Sequence, residues 1–330
     1  MKKVLLYFLL VIVLIFCLPI VFTNQFDSEE VIAKPIEEKK MEKKEEKFDY
    51  GKYNSIKLLH ISNNVIENID LDTYLYGVVA AEMPVSYELE ALKAQAVVAR
   101  TYTIFKMKNG SKHEGADLCD SSVCCQAWMD KENRFARWDF DKREENWNKI
   151  VSAVNLTKGK IAKYNGEPIN AFFHSNSGGK TELPINVWGG DYPYLQVVST
   201  VGEDIYTTYQ SEIILSKDEL VQKMLEKYSK FEIDFKNLEC IKIIEYTEGD
   251  RVKKIKIGNI ELSGVEARNI FGLKSAKFTV QVIEEKIKFS VLGYGHGVGL
   301  SQSGSDALAK QGKKYEEIIK YYYKDVEISE

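Results

Sequence analysis

Several signatures of common protein classes are missing from this 330-residue sequence. A net charge of −4 without a long basic stripe gives no electrostatic reason to expect a nucleic-acid-binding protein. There is no Walker lysine motif, no Gly-x-Ser-x-Gly elbow and no His-Glu-x-x-His, so nucleotide-binding loops, serine hydrolases and common zinc proteases are not indicated. No internal repeat is present. The length allows one large domain or two modest ones.

The N-terminus contains a long uncharged apolar run, residues 4–22. As a helix it would span about 28 Å, enough for the hydrocarbon core of a bilayer. The lysines within residues 1–3 place this tip in the cytoplasm and the rest of the chain outside the membrane. A cleaved signal peptide is the alternative, but no small-x-small site follows, and bulky Phe16 before Cys17 argues against a lipoprotein. We therefore predict a retained transmembrane anchor.

The segment that follows, residues 23–50, is rich in charge. From 28 to 47 it mixes Glu and Lys almost evenly and has few apolar residues, so it cannot bury a core. We predict a solvated linker that holds a domain over residues 51–330 away from the bilayer.

The pattern within this domain mixes helical and strand periodicity. Helices are predicted at 72–83, 87–108, 142–155, 212–228, from Ser301 onward and at 315–323. Strands are predicted at 56–69, 160–164, 168–173 and 238–292, which gives a β-rich portion at about 205–290. Because helices and hairpins are segregated, we predict an α+β fold in which helices flank antiparallel sheets around a substrate cleft.

One carboxylate stands at the break between the first two predicted helices. An apolar stripe runs along the first helix through Leu71, Leu75, Val78 and Val79. Glu82 lies on the same face, just before Pro84 ends the helix. Burial there favours the protonated carboxyl that a general acid needs near neutral pH. An ordinary solvent-exposed glutamate at a fraying helix end is the alternative.

The second helix carries two cations, Lys93 and Arg100. They are seven residues apart and therefore share one face. On an Ala-rich helix beside Glu82 they are candidates to bind a polar substrate or to hold the carboxylate in place. Ordinary surface charge is the alternative.

A short loop after this helix concentrates His113, Cys119, Cys124 and Cys125. Two thiolates and an imidazole can supply three tetrahedral zinc ligands and leave a fourth position for water or substrate. A disulfide from Cys119 to Cys124 or Cys125 is the alternative, since the chain is predicted to lie outside the membrane. An open zinc position would also suit a metallo-amidase, with Glu114 as the nearby base.

Two glycine-rich motifs complete the candidate site. In the first, a strand leads to His174 and Ser175, which could offer hydrogen bonds to sugar hydroxyls at the lip of a cleft. In the second, alternating glycines permit close backbone approach to a polymer and leave His296 exposed between them. Trp188 could provide a stacking platform. The alternatives are a glycine turn with a solvated histidine and a core tryptophan.

Four motifs follow one another in order across residues 55–325. They are Gly77-Val-Val-Ala-Ala-Glu-Met-Pro with Ala91-Leu-Lys-Ala-Gln-Ala-Val-Val-Ala-Arg-Thr-Tyr, Cys119-Asp-Ser-Ser-Val-Cys-Cys-Gln, Phe172-Phe-His-Ser-Asn-Ser-Gly-Gly-Lys-Thr and Gly293-Tyr-Gly-His-Gly-Val-Gly-Leu-Ser-Gln-Ser-Gly. Together they resemble the stage II sporulation protein D family, which consists of peptidoglycan lytic transglycosylases of endospore formation.

This resemblance implies that Glu82 is the acid/base of a reaction that leaves 1,6-anhydro ends on glycan strands stripped of stem peptides. It implies a structural zinc ion at His113, Cys119 and Cys125. It also implies two partners, the amidase stage II sporulation protein P and the membrane protein stage II sporulation protein M, at the mother-cell membrane facing the forespore. The alternatives are a zinc-dependent amidase or hydrolase and a non-catalytic glycan-binding scaffold. Asp191 and Glu88 are the candidate second carboxylates for hydrolysis.

Overall fold

The computed structural model describes residues 49–330 of the chain. The predicted anchor and residues 23–48 of the predicted linker lie outside the described residues. Within the described part, no helix combines the length and apolar character needed to cross a membrane. The described residues form a mixed α+β structure with several small sheets, so the predicted α+β class is confirmed, although two of the strand pairs are parallel rather than antiparallel.

The helices of the described part are Leu71–Glu82 (α1), Leu89–Asn109 (α2), Lys131–Phe135 (α3), Arg143–Asn155 (α4), Lys217–Lys227 (α5), Gly264–Phe271 (α6), Gln302–Lys310 (α7) and Tyr315–Tyr322 (α8). Short 3-10 helices occupy Tyr50–Tyr53 and Pro184–Asn186. The helices predicted at 72–83, 87–108, 142–155 and 315–323 are present to within two residues at each end.

The strands are Ser55–His60 (β1), Val65–Asp70 (β2), Leu118–Cys119 (β3), Ile161–Tyr164 (β4), Glu167–Pro168 (β5), Phe173–His174 (β6), Gln210–Ser216 (β7), Ile241–Tyr246 (β8), Val252–Ile257 (β9), Ile260–Ser263 (β10), Phe278–Ile283 (β11), Lys286–Leu292 (β12), Leu300–Ser301 (β13) and Glu327–Ser329 (β14). They form five sheets in the orders β2-β1-β3, β14-β4-β5, β13-β6, β11-β12-β7 and β10-β9-β8 in the part of the chain that is described.

The helices and strands fall into two lobes, and each lobe has its own apolar core. The insert lobe, residues 210–292, is built from the last two sheets with helices α5 and α6, and has its own core around Phe289 and Ile255. The main lobe, residues 49–209 and 293–330, surrounds the long helix α2, which packs against α1, α4, α7 and α8. The small alanine side chains of α2 let the neighbouring helices approach it closely, so the side chains of those helices pack around α2.

The insert lobe differs from the sequence prediction at its start. Residues 212–228 were predicted as one helix, but 210–216 form strand β7 and the helix begins only at Lys217. The strand is explained by its pairing partner: Ile213 stands opposite Phe289 of β12, in a register that no local pattern reveals. Ser216 and Glu219 then form a capping box, which fixes where the helix starts.

The two glycine-rich motifs meet in the parallel pair β6–β13. Leu300 stands opposite Phe173, and Ser301 stands opposite His174. This close approach requires Gly299, which has φ +73° and whose Cβ, if present, would overlap the carbonyl oxygen of Phe172. The pairing places the start of helix α7 directly beside the histidine motif.

Arg100 occupies a structural position in the main lobe. Its side chain has no exposed surface. Nη1 donates to the carbonyl oxygen of Thr157 at 2.8 Å and Nη2 to that of Val154 at 3.1 Å, at the C-terminal end of α4, with Asp72 Oδ1 3.8 Å away. A cation at a helix C-terminus complements the partial negative charge of the unpaired carbonyls. The substrate contact predicted for Arg100 is therefore not available to it in this structure.

Replacing Arg100 by Ala should mainly destabilise the protein. The change leaves the carbonyl oxygens of Val154 and Thr157 without their buried donor and removes one of the two cations near buried Asp72, so we expect the free energy of unfolding to fall by about 3 kcal/mol. Urea unfolding followed by circular dichroism measures this loss, and Arg143→Ala on the exposed start of α4 is the control. An Arg100→Ala protein that is as stable as the control would contradict the structural role.

Candidate active site

Glu82 ends helix α1 in a partly buried position beside the cysteine loop. Its Oε1 accepts a hydrogen bond from the backbone N–H of Ala127 at 2.5 Å, and its carboxyl is also hydrogen-bonded by the side chain of Gln302. Burial raises the pKa of Glu82, and these two donors offset only part of that effect. This direction agrees with the expectation from the apolar stripe on α1: the carboxyl holds its proton to higher pH than an exposed glutamate.

Gln302 connects Glu82 to the helix α2. It is the first residue of α7, is 5% exposed, and its Nε2 lies 3.4 Å from Oε1 of Gln95, which is fully buried in α2. Sequence analysis missed both amides as site residues. Each lies in one of the four sequence motifs that carry the family resemblance, but only the packing of α2 against α7 shows that the two amides meet beside the carboxyl of Glu82.

Gln126 fixes the loop on the other side of Glu82. Its buried Nε2 donates to the hydroxyl oxygen of Tyr74 at 3.0 Å and to Oγ1 of Thr103 at 2.9 Å. The next residue is Ala127, whose N–H points at Glu82. The carboxyl is thus held between a loop anchored on α1 and α2 and the amide at the start of α7.

The two predicted histidines lie together. His174 is buried, and its Nδ1 donates to the carbonyl oxygen of Val298 at 3.2 Å. The ring of His296 is 5.7 Å away between centroids, and its Nδ1 accepts from the N–H of Val298 at 3.0 Å. Burial, with Arg251 nearby, lowers the pKa of His174 to about 3, and burial with His174 nearby lowers that of His296 well below its usual value. Both rings are therefore neutral hydrogen-bonding groups near pH 7.

A series of aromatic contacts runs from His296 toward the cysteine loop. Trp188 is 46% exposed, with its ring 5.0 Å from that of His296 and 4.8 Å from that of Phe172. Phe172 in turn lies 6.4 Å from Tyr102, which is within electrostatic range of both Glu82 and Cys125. Of these rings Trp188 is exposed, and an exposed aromatic face suits stacking on a sugar ring.

Ser175 and Lys93 occupy different surroundings. The carbonyl of Ser175 accepts from the N–H and the hydroxyl of Ser303 in α7, both at 3.0 Å, so Ser175 belongs to the histidine motif. Lys93 pairs with Glu90 at 2.8 Å and lies over the ring of Tyr315 at 5.1 Å. The structure thus brings His174, Ser175 and His296 together and joins them to Glu82 through α7, whereas Lys93 is engaged with α8.

One buried carboxylate near these motifs is committed to structural bonds, and the two predicted alternatives to Glu82 are exposed. Glu203 is 1% exposed and accepts hydrogen bonds from Ser177, Gly179, Thr200 and Ser301. Such a saturated carboxylate has no lone pair left to activate a water molecule. Glu88 and Asp191 are both exposed, and no contact between either side chain and Glu82 is found in the described residues.

The loop cysteines and His113 form a compact cluster. The ligand atoms of His113, Cys119, Cys124 and Cys125 all lie within 4.8 Å of one another. His113 Nε2 is 3.2 Å from Cys124 Sγ and 3.5 Å from Cys125 Sγ, and the two sulfurs are 3.8 Å apart. A tetrahedron with metal–sulfur bonds of about 2.3 Å has edges of about 3.8 Å, so the donor set and its spacing fit a metal ion.

Cys124 is not among the three ligands that the family resemblance implies, but it supplies a fourth donor atom to the cluster. All three loop cysteines are free, so the alternative of a disulfide from Cys119 is not found. Burial raises the pKa of Cys125 to about 12, whereas around Cys124 the hydrogen bond from Lys112 and the neighbouring thiols outweigh burial and lower the pKa. The cluster could therefore hold a metal through three sulfurs and one nitrogen.

Comparison with known proteins agrees with these features. The model of the stage II sporulation protein family matches residues 61–164, which contain Glu82 and the cluster of His113, Cys119, Cys124 and Cys125. The chain is 36% identical over 278 residues to stage II sporulation protein D of Bacillus subtilis (strain 168), covering 84% of this chain and 79% of that protein. The similarity to stage II sporulation protein D of Bacillus amyloliquefaciens is 35% over the same shares. A Bacillus subtilis protein named amidase enhancer is 31% identical over 76% of this chain but only 39% of its own length. This chain belongs to the stage II sporulation protein D family.

Proposed function

We propose that this protein is a membrane-anchored lytic transglycosylase that cleaves peptidoglycan glycan strands and leaves 1,6-anhydro-muramic acid ends. The observation that carries the proposal is the partly buried carboxyl of Glu82, whose pKa is raised and which faces no second available carboxylate in the described residues. Hydrolytic glycosidases normally use two carboxylates, whereas an intramolecular attack by a sugar hydroxyl needs only one acid/base group.

In the proposed reaction, protonated Glu82 donates its proton to the glycosidic oxygen as the bond from C1 of the muramic acid breaks. The resulting carboxylate then removes the proton from the 6-hydroxyl of the same sugar as that oxygen attacks C1. One glycosidic bond is broken, one C1–O6 bond forms, and no water is consumed. Glu82 ends the cycle protonated, as it began.

The two hydrogen-bond donors suit both halves of this cycle. Burial keeps the proton on Glu82 before bond cleavage, and Ala127 N–H with Gln302 stabilises the carboxylate after the proton has left. Neutral His296, which is partly exposed, could bond a sugar hydroxyl without adding charge, whereas His174 is 4% exposed and is not directly accessible to a sugar. Trp188 is placed to stack on a sugar ring.

The metal in this proposal is zinc with a structural role. His113, Cys119, Cys124 and Cys125 would together fill a tetrahedral site, and the ion would supply a cross-link within the loop rather than a reactive position. This favours the transglycosylase over a zinc amidase, which needs an open coordination position.

The test of the proposal is the chemistry of the product. Full-length protein in detergent should convert denuded glycan strands into fragments one water lighter than those released by a hydrolase, as seen by mass spectrometry. Reducing ends would instead support the hydrolase alternative.

Replacing Gln302 by Leu should move the pH profile of cleavage. The change removes an N–H that lowers the pKa of Glu82, so this pKa rises. Activity requires the protonated acid and is lost as pH rises through that pKa, so the alkaline limb should move to higher pH. We also expect kcat/KM to fall by about tenfold, the cost of one charge-assisted hydrogen bond. Exposed Gln311, directly after the same helix, provides the control variant, Gln311→Leu; an unmoved limb in Gln302→Leu would rule out the contact with Glu82.

A second candidate function comes from the relative named amidase enhancer. It favours a glycan-binding scaffold that stimulates a separate amidase without cutting glycan. We propose stage II sporulation protein P as that amidase and stage II sporulation protein M as a membrane partner, at the mother-cell membrane facing the forespore. If amidase release of stem peptides is stimulated as well by Glu82→Gln protein as by wild type, and neither cuts glycan, the scaffold is the correct function.

A further inference from the structure

Two buried glutamine side chains meet beside Glu82 where α2 packs against α7. Gln95 has no exposed surface, and Gln302 is 5% exposed. Nε2 of Gln302 lies 3.4 Å from Oε1 of Gln95, and the same side chain bonds the carboxyl of Glu82. An amide nitrogen carries two hydrogens, so these two acceptors use both of them. The three side chains therefore form a hydrogen-bonded chain with Gln302 in the middle.

The far end of this chain carries an unpaired donor. Nε2 of Gln95 is buried and makes no hydrogen bond to any described residue. A buried donor without a partner is costly, and native proteins contain few of them. The amide could turn over without a change in packing, because rotation about its last torsion exchanges an oxygen and a nitrogen of nearly equal size. A neighbour must therefore hold Gln95 in the orientation that leaves its nitrogen unpaired.

The ionised form of Glu82 explains this orientation. A carboxylate only accepts hydrogen bonds, so Gln302 must present its nitrogen to Glu82. The same nitrogen faces Gln95, which must then present its oxygen and leave its own nitrogen without a partner. The arrangement in the structure is thus the one that suits deprotonated Glu82.

Protonated Glu82 has the opposite requirement. Its carboxyl still accepts from the N–H of Ala127, but it now also carries an O–H that needs an acceptor. If both glutamine amides turn over, the oxygen of Gln302 accepts this O–H and also an N–H of Gln95. The group left unpaired is then the oxygen of Gln95 rather than its nitrogen, and an unpaired acceptor is less unusual in a protein interior than an unpaired donor.

Both forms of Glu82 occur in every cycle of the proposed reaction. The carboxyl first donates a proton and later removes one. A donor fixed toward Glu82 would stabilise the carboxylate but would offer nothing to the O–H of the acid. A pair of amides that turns over stabilises each form in its turn.

The titratable groups on the elements around Glu82 leave this carboxyl as the group that the amides can follow. Burial raises the pKa of Tyr102 on α2, so this phenol stays neutral. In the cysteine loop, the proposed metal would hold Cys125 as a thiolate. On α7, buried Asp306 is paired with Lys310 at 2.7 Å.

We infer that Gln95 is a positioning residue: Gln95 and Gln302 turn over together as Glu82 gains or loses its proton, so that the carboxyl always faces the matching end of Gln302. The catalytic value of this movement rests on the proposed function. The movement itself can be observed without any turnover.

Nuclear magnetic resonance of the side-chain amides tests the movement directly. Full-length protein labelled with ¹⁵N, and with ¹³C at the glutamate carboxyls, is titrated in detergent. We expect the Gln95 amide protons to shift downfield as pH falls, because they gain an acceptor, with the midpoint of the Glu82 carboxyl signal. This shift should be lost in Glu82→Gln and in Gln302→Leu. The amide of Gln126 is the internal control, since its nitrogen already donates to two hydroxyl oxygens.

Two results of this titration would overturn the inference. One is a Gln95 signal that does not follow the protonation of Glu82 in wild type. The other is a Gln95 signal that still follows it in Gln302→Leu. Because neither measurement needs substrate, the titration decides the movement even if the protein cuts no glycan and the proposed function fails.

Steady-state cleavage of denuded glycan then tests what the movement contributes. Gln95→Met keeps the length of the side chain but removes the amide, so we expect kcat to fall about tenfold with little change in KM. In the Gln302→Leu background the same change should cause no further loss, since Gln95 acts through Gln302. An equal loss in both backgrounds would assign Gln95 to the fold instead. Gln311→Met, at an exposed position, is the control. Should Gln95→Met fold poorly in a melting experiment, the titrations of wild type and Gln302→Leu, which keep Gln95, carry the test.

Discussion

Glu82→Gln is expected to lower kcat on denuded glycan by at least about 1000-fold, near the upper range for one general acid/base group. Glutamine has the same shape and can still accept the hydrogen bond from Ala127 N–H, so the fold and glycan binding should persist. It cannot donate a proton to the glycosidic oxygen or take one from the 6-hydroxyl. Anhydro products counted by mass spectrometry at equal concentrations of folded protein measure the loss.

The same variant should change stability with a definite pH dependence. Because burial raises the pKa of Glu82 in the folded state, its carboxyl favours folding fully below the unfolded pKa and loses this advantage as pH rises through the folded pKa. Glutamine does not titrate. Urea unfolding should therefore show Glu82→Gln gaining stability relative to wild type as pH rises through that window.

Two exposed carboxylates serve as controls for the catalytic assignment. Glu88→Gln and Asp191→Asn should retain wild-type turnover if one acid/base group suffices. Substantial turnover by Glu82→Gln together with loss in either control would move the chemistry to that residue. Loss in Glu82→Gln and in one control together would instead favour a two-carboxylate hydrolase.

The sequence predicted the position of Glu82 at the end of a helix because the evidence for it was local. The period of the apolar stripe and the break at Pro84 are properties of one helix, and both survive in the structure. Arg100 shows the limit of the same reasoning. Spacing along α2 gave its face, but the carbonyls of α4 that bind it are more than 50 residues away in the chain.

The contacts of the site between residues that are far apart in the chain could not be predicted from the spacing of residues along the sequence. Gln95 and Gln302 meet only because α2 packs on α7, and β6 and β13 pair across more than 120 residues. Strand β7 was not predicted for the same reason. Its seven residues form a strand because they pair with β12, whereas their local pattern also suits a helix. The local sequence pattern predicts the helices, but only the tertiary contacts show which side chains the helices bring together.

Removal of the metal should loosen the cysteine loop and only indirectly reduce cleavage. The loop carries Cys125 and, two residues later, Ala127, whose N–H bonds to Glu82. We expect one zinc ion per chain by elemental analysis, and faster amide hydrogen exchange over residues 113–127 in chelated protein. Activity should fall by about 10- to 100-fold, typical of a misplaced catalytic group.

Restoration with different metals separates the two roles of the ion. If the metal only cross-links the loop, zinc, cobalt and cadmium should restore protection of residues 113–127 and cleavage in parallel. If chelated protein keeps its loop protected but loses all activity, and recovery rates depend on the metal, the zinc-hydrolase alternative is correct.

The fourth donor can be tested separately. Cys124→Ser should weaken zinc binding by about 10-fold or more and speed exchange in the loop, because it removes one thiolate from a four-ligand site. Cys240→Ser is the control, since Cys240 is a buried free cysteine of the insert lobe outside the cluster. If Cys124→Ser binds zinc as tightly as the control, only His113, Cys119 and Cys125 hold the ion. A coordination position is then open, and the case against metal-bound water in the reaction loses its structural basis.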